Sequence, residues 1–190
     1  FKASKSRNII AIVAIILTTV LFTTIFTLGS GLIDTVQDQN IRKMGGDGQA
    51  VLNYISDEVF DDVKGNELID RIAYTKAVSY HLNNPGLAKW RSDMWYMDDT
   101  ALEFARYEPT TGHRPEAENE IIADTKTLEA LGVPAEIGAT VTLDYEIKGK
   151  EYTTDFTLCG FWETDSLSNI GRIIVSKAFL DSHADLLTYT

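Results

Sequence analysis

Residues 8–33 read NIIAIVAIILTTVLFTTIFTLGSGLI, 26 positions without one ionisable side chain. As a helix such a stretch extends about 39 Å, enough to cross a hydrocarbon core of roughly 30 Å with some tilt. Lys2, Lys5 and Arg7 precede it, no acid occurs among residues 1–7, and Asp34 is the first residue beyond it. The positive-inside rule then puts the N-terminus in the cytoplasm and the remainder outside. The alternative is a cleaved signal peptide, whose apolar stretch runs about 7 to 15 residues before a small-residue cleavage site. Residues 8–33 are too long for that, and Leu28-Gly29-Ser30-Gly31-Leu32 supplies such a site poorly.

Within the span Thr19, Thr23 and Thr27 recur every fourth residue, with Thr18 and Thr24 beside them. Their small hydroxylated side chains share one face and are candidates for packing against a neighbouring membrane helix. The other reading is that each hydroxyl bonds back to the carbonyl four residues earlier. Beyond the span, Ile33, Val36, Ile41 and Met44 keep a helical spacing, so the helix is expected to continue as a stalk until Gly45-Gly46 breaks it. Such a stalk either transmits force or is a spacer.

All 28 acidic residues follow position 33, against 14 of the 17 basic ones, so the outer part has a formal charge of −14. A surface of this sign excludes nucleic acid as a partner. It serves solubility, or it attracts cationic peptides or metal ions. About 157 residues suffice for a core without staples. Cys159 is the single cysteine and no Asn-x-Ser/Thr sequon occurs, which suits a bacterial surface better than a eukaryotic secretory route.

Local patterns place the elements. Residues 49–55 alternate and predict a first strand; Asn66 is expected to cap a helix carrying Leu68, Ile69, Ile72 and Ala73; residues 77–82 predict a strand closed by Asn83-Asn84-Pro85-Gly86. Asp98 and Asp99 open a turn into residues 101–107. A polar loop from Gly112 enters a short strand at Glu120-Ile121-Ile122, and Asp124 caps a helix over 125–131 that Gly132 ends. Residues 140–147 and 152–161 form a hairpin about Lys148-Gly149-Lys150. The strand at 172–175 leads through the cap Ser176 into a helix containing Phe179 and Leu180. The order predicts an α+β fold, a mixed α/β domain whose helices cover one face of a sheet.

Trp90, Trp95, Tyr96 and Met97 form the densest aromatic group. Exposed together, Trp90, Trp95 and Tyr96 would mark a partner surface; the other reading is core. No catalytic set is expected. His81, His113 and His183 are scattered, Cys159 has no evident His partner, and no zinc or calcium spacing occurs. The pairs Asp57-Glu58 and Asp61-Asp62 read as a solvated helix face. No Gly-x-Ser-x-Gly occurs, and Gly45-Gly46-Asp47-Gly48 lacks the Lys-Ser/Thr of a phosphate loop. The sequence therefore assigns no catalytic, cofactor or metal residue.

Several stretches resemble FtsX-like and MacB-like permease subunits of ABC transporters: the basic segment ending Arg7-Asn8 before the span, Gly112 through Pro115, Asn119-Glu120-Ile121, Leu131-Gly132, Gly138 through Leu143, Cys159-Gly160-Phe161 and Val175-Ser176, in that order. In this loop Arg114 stands one place later than in the family pattern Gly-Arg-x-Pro. The resemblance implies a basic cytoplasmic segment (1–7), a transmembrane helix (8–33), a helical stalk (34–46) and an extracytoplasmic domain (47–190) like the MacB periplasmic core domain. It also implies that Phe1 to Thr190 is the N-terminal part of a longer bacterial cell-membrane permease. Partners implied are a cytoplasmic ABC ATPase, a second permease copy or a related permease, and a peptide or envelope protein. The extracytoplasmic ligand-sensing domain of a receptor kinase or chemoreceptor is the alternative; it would carry a polar-lined pocket.

Overall fold

A computed structural model describes residues 5–44, 48, 50–164 and 168–187. The chain divides into two units, residues 1–40 and 41–190. Helix α1 (Lys5–Met44) runs 40 residues. Its segment Arg7–Asp34 is long and apolar enough to cross a membrane and has none of its residues buried. Apolar side chains point outward on every side, as at Ile9, Ile16, Phe22 and Phe26, a distribution suited to lipid rather than to a protein interior. The expected break at Gly45-Gly46, and residues 1–4 of the basic segment, lie outside the described residues.

Residues 50–74 depart from expectation. No strand forms over 50–56; Val51 and Leu52 are exposed, and Tyr54 adopts φ 58°. An alternating run needs a neighbouring strand to satisfy its backbone. Instead Ser56 caps α2 (Asp57–Lys64), its hydroxyl accepting from Val59 N–H. Acids in the first turn and Lys64 in the last complement the helix dipole. Nor does Asn66 start a helix: its side chain accepts from Leu68 N–H at 2.9 Å, a local turn that competes with helix formation. Leu68 remains 92% exposed.

The sheet has seven strands: β1 (Thr75–Ser79), β2 (Ser92–Met97), β3 (Thr111–Gly112), β4 (Glu120–Asp124), β5 (Thr140–Ile147), β6 (Lys150–Trp162) and β7 (Gly171–Val175). Their order is β1-β2-β7-β4-β6-β3, with β5 also paired to β6. The β2–β7 and β4–β6 pairs are parallel and the others antiparallel. The long β6 carries β5 along residues 150–157 and β3 at residues 160–161. A bridge between Leu82 and Tyr145, with Asn83 N–H donating to Asp144 at 2.7 Å, links the chain after β1 back to β5. The sheet is thereby curled towards closure.

Strand side chains alternate between two cores. Ile121, Ala123, Ile173 and Val175 enter the larger one with Leu143, Tyr145 and Phe156. Ile122, Ile174, Cys159 and Trp162 enter the smaller. Helix α3 (Asp99–Ala105) packs on the smaller core through Ala101, Leu102 and Ala105. Helices α4 (Thr125–Leu131), α5 (Lys177–Ser182) and α6 (Ala184–Leu187) add Leu128, Phe179, Leu180 and Leu187 to the larger. Helices thus contribute to both cores, not to one face as the element order suggested, because strands buried on both sides need cover on both. The caps are local: Asp98, Asp124 and Ser176 accept from Ala101, Thr127 and Phe179 N–H.

Candidate functional site

The C-terminal half of β6 draws together residues far apart in sequence. Ile121 pairs with Leu158 and Ile122 with Gly160, so Cys159 is an extra residue without a partner on β4. A bulge of this kind re-aims the side chain it carries. On the other side β3 lies so close that a side chain on Gly112 would strike the Cys159 carbonyl, and one on Gly160 would meet the His113 carbonyl at 2.6 Å. Only glycine permits that approach. His113 N–H consequently donates to the Cys159 carbonyl at 3.0 Å.

His113, Glu120 and Cys159 meet here, with one ligand-capable atom from each within 4.8 Å of the others. His113 is exposed, Glu120 half-buried and Cys159 buried. The Cys159 thiol faces the Ile121 carbonyl at 3.3 Å and that of His113 at 3.5 Å. Burial, with the Glu120 charge second, pushes the thiol up to about 12. Glu120 accepts from the N–H groups of Ala117 and Glu116, both at 2.9 Å, and these bonds hold its carboxyl below the usual range. His113 Nδ1 lies 2.8 Å from the Arg114 carbonyl, a contact that places the proton on Nδ1 and the lone pair on Nε2.

The expectation that Cys159 has no His partner is therefore corrected. No local spacing could have found the pair, which the β3–β6 register alone creates. Arg114 forks onto Glu108 and reaches Asp99 at 2.8 Å, tying the loop to α3. The other two histidines sit elsewhere. His183 stacks on Phe179 at 4.2 Å, and His81 N–H donates to Ser79.

A second polar cluster centres on Asp124. Its Oδ1 accepts from Thr127 N–H at 3.0 Å and Thr164 Oγ1 at 2.7 Å; its Oδ2 accepts from Thr127 Oγ1 at 2.6 Å and Arg172 N–H at 2.9 Å. One carboxylate thus joins β4, α4, β7 and the segment that follows β6. Gly171 is required beside it, since a Cβ there would collide with the Thr127 and Ser92 hydroxyls. Arg172 pairs with buried Asp93 at 2.8 Å. A crevice of about 10 Å³ lined by Tyr107, Asp124, Thr164 and Arg172 has room for one water.

The aromatic residues considered as a partner surface do not share one. Trp90 and Tyr96 are buried and Trp95 half-buried. Trp90 Nε1 donates to Thr127 Oγ1 at 3.1 Å, so it belongs to the Asp124 cluster. The Tyr96 phenol is pushed up to about 12, mainly by burial and then by Asp98. Trp95 meets Tyr80 edge-on at 5.5 Å, and its Nε1 is buried with no hydrogen-bond partner among the described residues. Along α1, the hydroxyls of Thr18, Thr19 and Thr24 each donate at 2.8 Å to the carbonyl four residues earlier. The back-bonding reading thus describes Thr19. Thr23 and Thr27 share its face by helical spacing.

No known family matches the sequence, and no curated protein matches it. Among solved structures the chain is similar to the periplasmic region of MacB from Actinobacillus actinomycetemcomitans, with TM-score 0.44 and 11% identity over 71% of this chain. The match spans 63% of that chain. The likeness is one of general outline.

Proposed function

We propose that the chain is a membrane subunit of an ABC transporter, with its outer domain moving in response to ATP hydrolysis by a separate cytoplasmic ATPase. The observation that carries the reading is α1. Its apolar segment ends at Asp34, yet the helix runs on without interruption to Met44. A helix keeps its backbone hydrogen bonds internal, so a rod of this kind passes displacement along its axis. The order of the permease-like motifs supports the same reading.

On this reading the N-terminus is cytoplasmic, residues 34–190 lie outside a bacterial cell membrane, and the subunit pairs with a second copy or a related permease. The domain contributes movement and contacts rather than a covalent step. The test uses inverted membrane vesicles containing the native complex, with fluorescent labels on Glu118→Cys of the outer domain and on the bilayer lipids, in a Cys159→Ser background. ATP added to the exposed cytoplasmic face should change energy transfer between the labels, and vanadate should trap the change. An unaltered signal on ATP addition, with hydrolysis proceeding, would overturn the reading.

A further inference from the structure

We propose that His113, Glu120 and Cys159 form a binding site for one divalent metal ion of the zinc class. The site stands apart from the transporter reading and needs no partner protein. Its three donors are a nitrogen, an oxygen and a sulfur within 4.8 Å of one another. In a tetrahedral zinc centre, bonds of about 2.0 to 2.3 Å separate neighbouring donors by roughly 3.3 to 3.8 Å. Closure therefore needs a contraction of up to about 1 to 1.5 Å. Exposed His113 and half-buried Glu120 can supply it by turning their side chains, while Cys159 is held in the bulge.

Each donor is already oriented by a second contact, as metal ligands are. The Arg114 carbonyl holds His113 Nδ1–H, leaving the Nε2 lone pair as ligand. The Ala117 and Glu116 N–H groups anchor one oxygen of Glu120, leaving its other oxygen. The β3–β6 glycine contact brings the His113 main chain against Cys159. A set with only one oxygen donor does not suit calcium or magnesium, which take oxygen ligands throughout; thiolate, imidazole and carboxylate together suit zinc.

On binding, the Cys159 S–H bond breaks, its proton passes to solvent, and a sulfur–metal bond replaces the contacts with the Ile121 and His113 carbonyls. The fourth position is left to water. An ion held this way clamps β3, β4 and β6 at the one place where their ladder is irregular.

The experiment titrates Co(II) into the full chain in detergent micelles and follows the thiolate-to-cobalt charge-transfer absorption. One equivalent should produce the band, Zn(II) should displace it, and Zn(II) should raise the melting temperature of the outer domain. Cys159→Ser should abolish the band. His113→Gln, at an exposed position where the fold is not at risk, should weaken binding by about 100-fold or more and remove the Zn(II)-dependent rise in melting temperature. The proposal is overturned if no charge-transfer band forms, if Co(II) is taken up by surface carboxylates alone, or if His113→Gln binds as the parent does.

Discussion

Ile16 in α1 is 55% exposed and Ile173 in β7 is 0% exposed, though each lies in a strongly apolar stretch. The difference is in periodicity. Around Ile16 the helix is apolar on all sides, so no rotation about its axis hides it from water, and only lipid solvates it. Around Ile173 side chains alternate, and β7, like its neighbour β4, divides its apolar residues between two cores. One unit depends on its solvent for stability; the other generates a dry interior of its own.

The same substitution in both places should separate the two regimes most widely. Ile173→Lys buries an unpaired charge and should cost the outer domain about 4 to 5 kcal/mol or more, seen as loss of the near-UV dichroism of its aromatic core. Ile16→Lys should leave that signal and its melting temperature unchanged, and cost about 3 kcal/mol in membrane insertion. Equal destabilisation of the outer domain by both would break the comparison.

A smaller effect probes how polar groups survive in the dry unit. Asp124→Ala strands the N–H groups of Thr127 and Arg172 and two threonine hydroxyls. It should lower stability by about 2 to 3 kcal/mol, measured by urea denaturation of the full chain in micelles. In α1 the Thr19 hydroxyl is satisfied by its own helix, so Thr19→Ala should shift neither insertion nor melting by more than about 0.5 kcal/mol. A larger loss on insertion or self-association would show that Thr19 packs against another helix.

Elements with local chemistry at both ends are legible in the amino-acid sequence alone. Asp124 and Gly132 bracket α4, and Lys148-Gly149 closes the β5–β6 hairpin with two residues of positive φ. Ser176 does the same for the start of α5. What is not legible depends on distant partners. Strand β2 is buried at five of its six positions and so lacks the alternation that marks a half-buried strand. The run 49–55 alternates, yet its described residues 50–55 find no neighbour to pair with. The meeting of His113 with Cys159, 46 residues apart, is set by a bulge and two glycines that sequence spacing does not reveal.

The proposed anchored, outward-facing arrangement is tested most directly by labelling with a membrane-impermeant maleimide in intact cells, in a Cys159→Ser background. Leu68→Cys, exposed on the outer domain, should react at once, and Lys5→Cys only after the membrane is permeabilised, with both proteins remaining in the membrane through carbonate extraction. Reaction of Lys5→Cys in intact cells, or release of the protein by carbonate, would contradict the account.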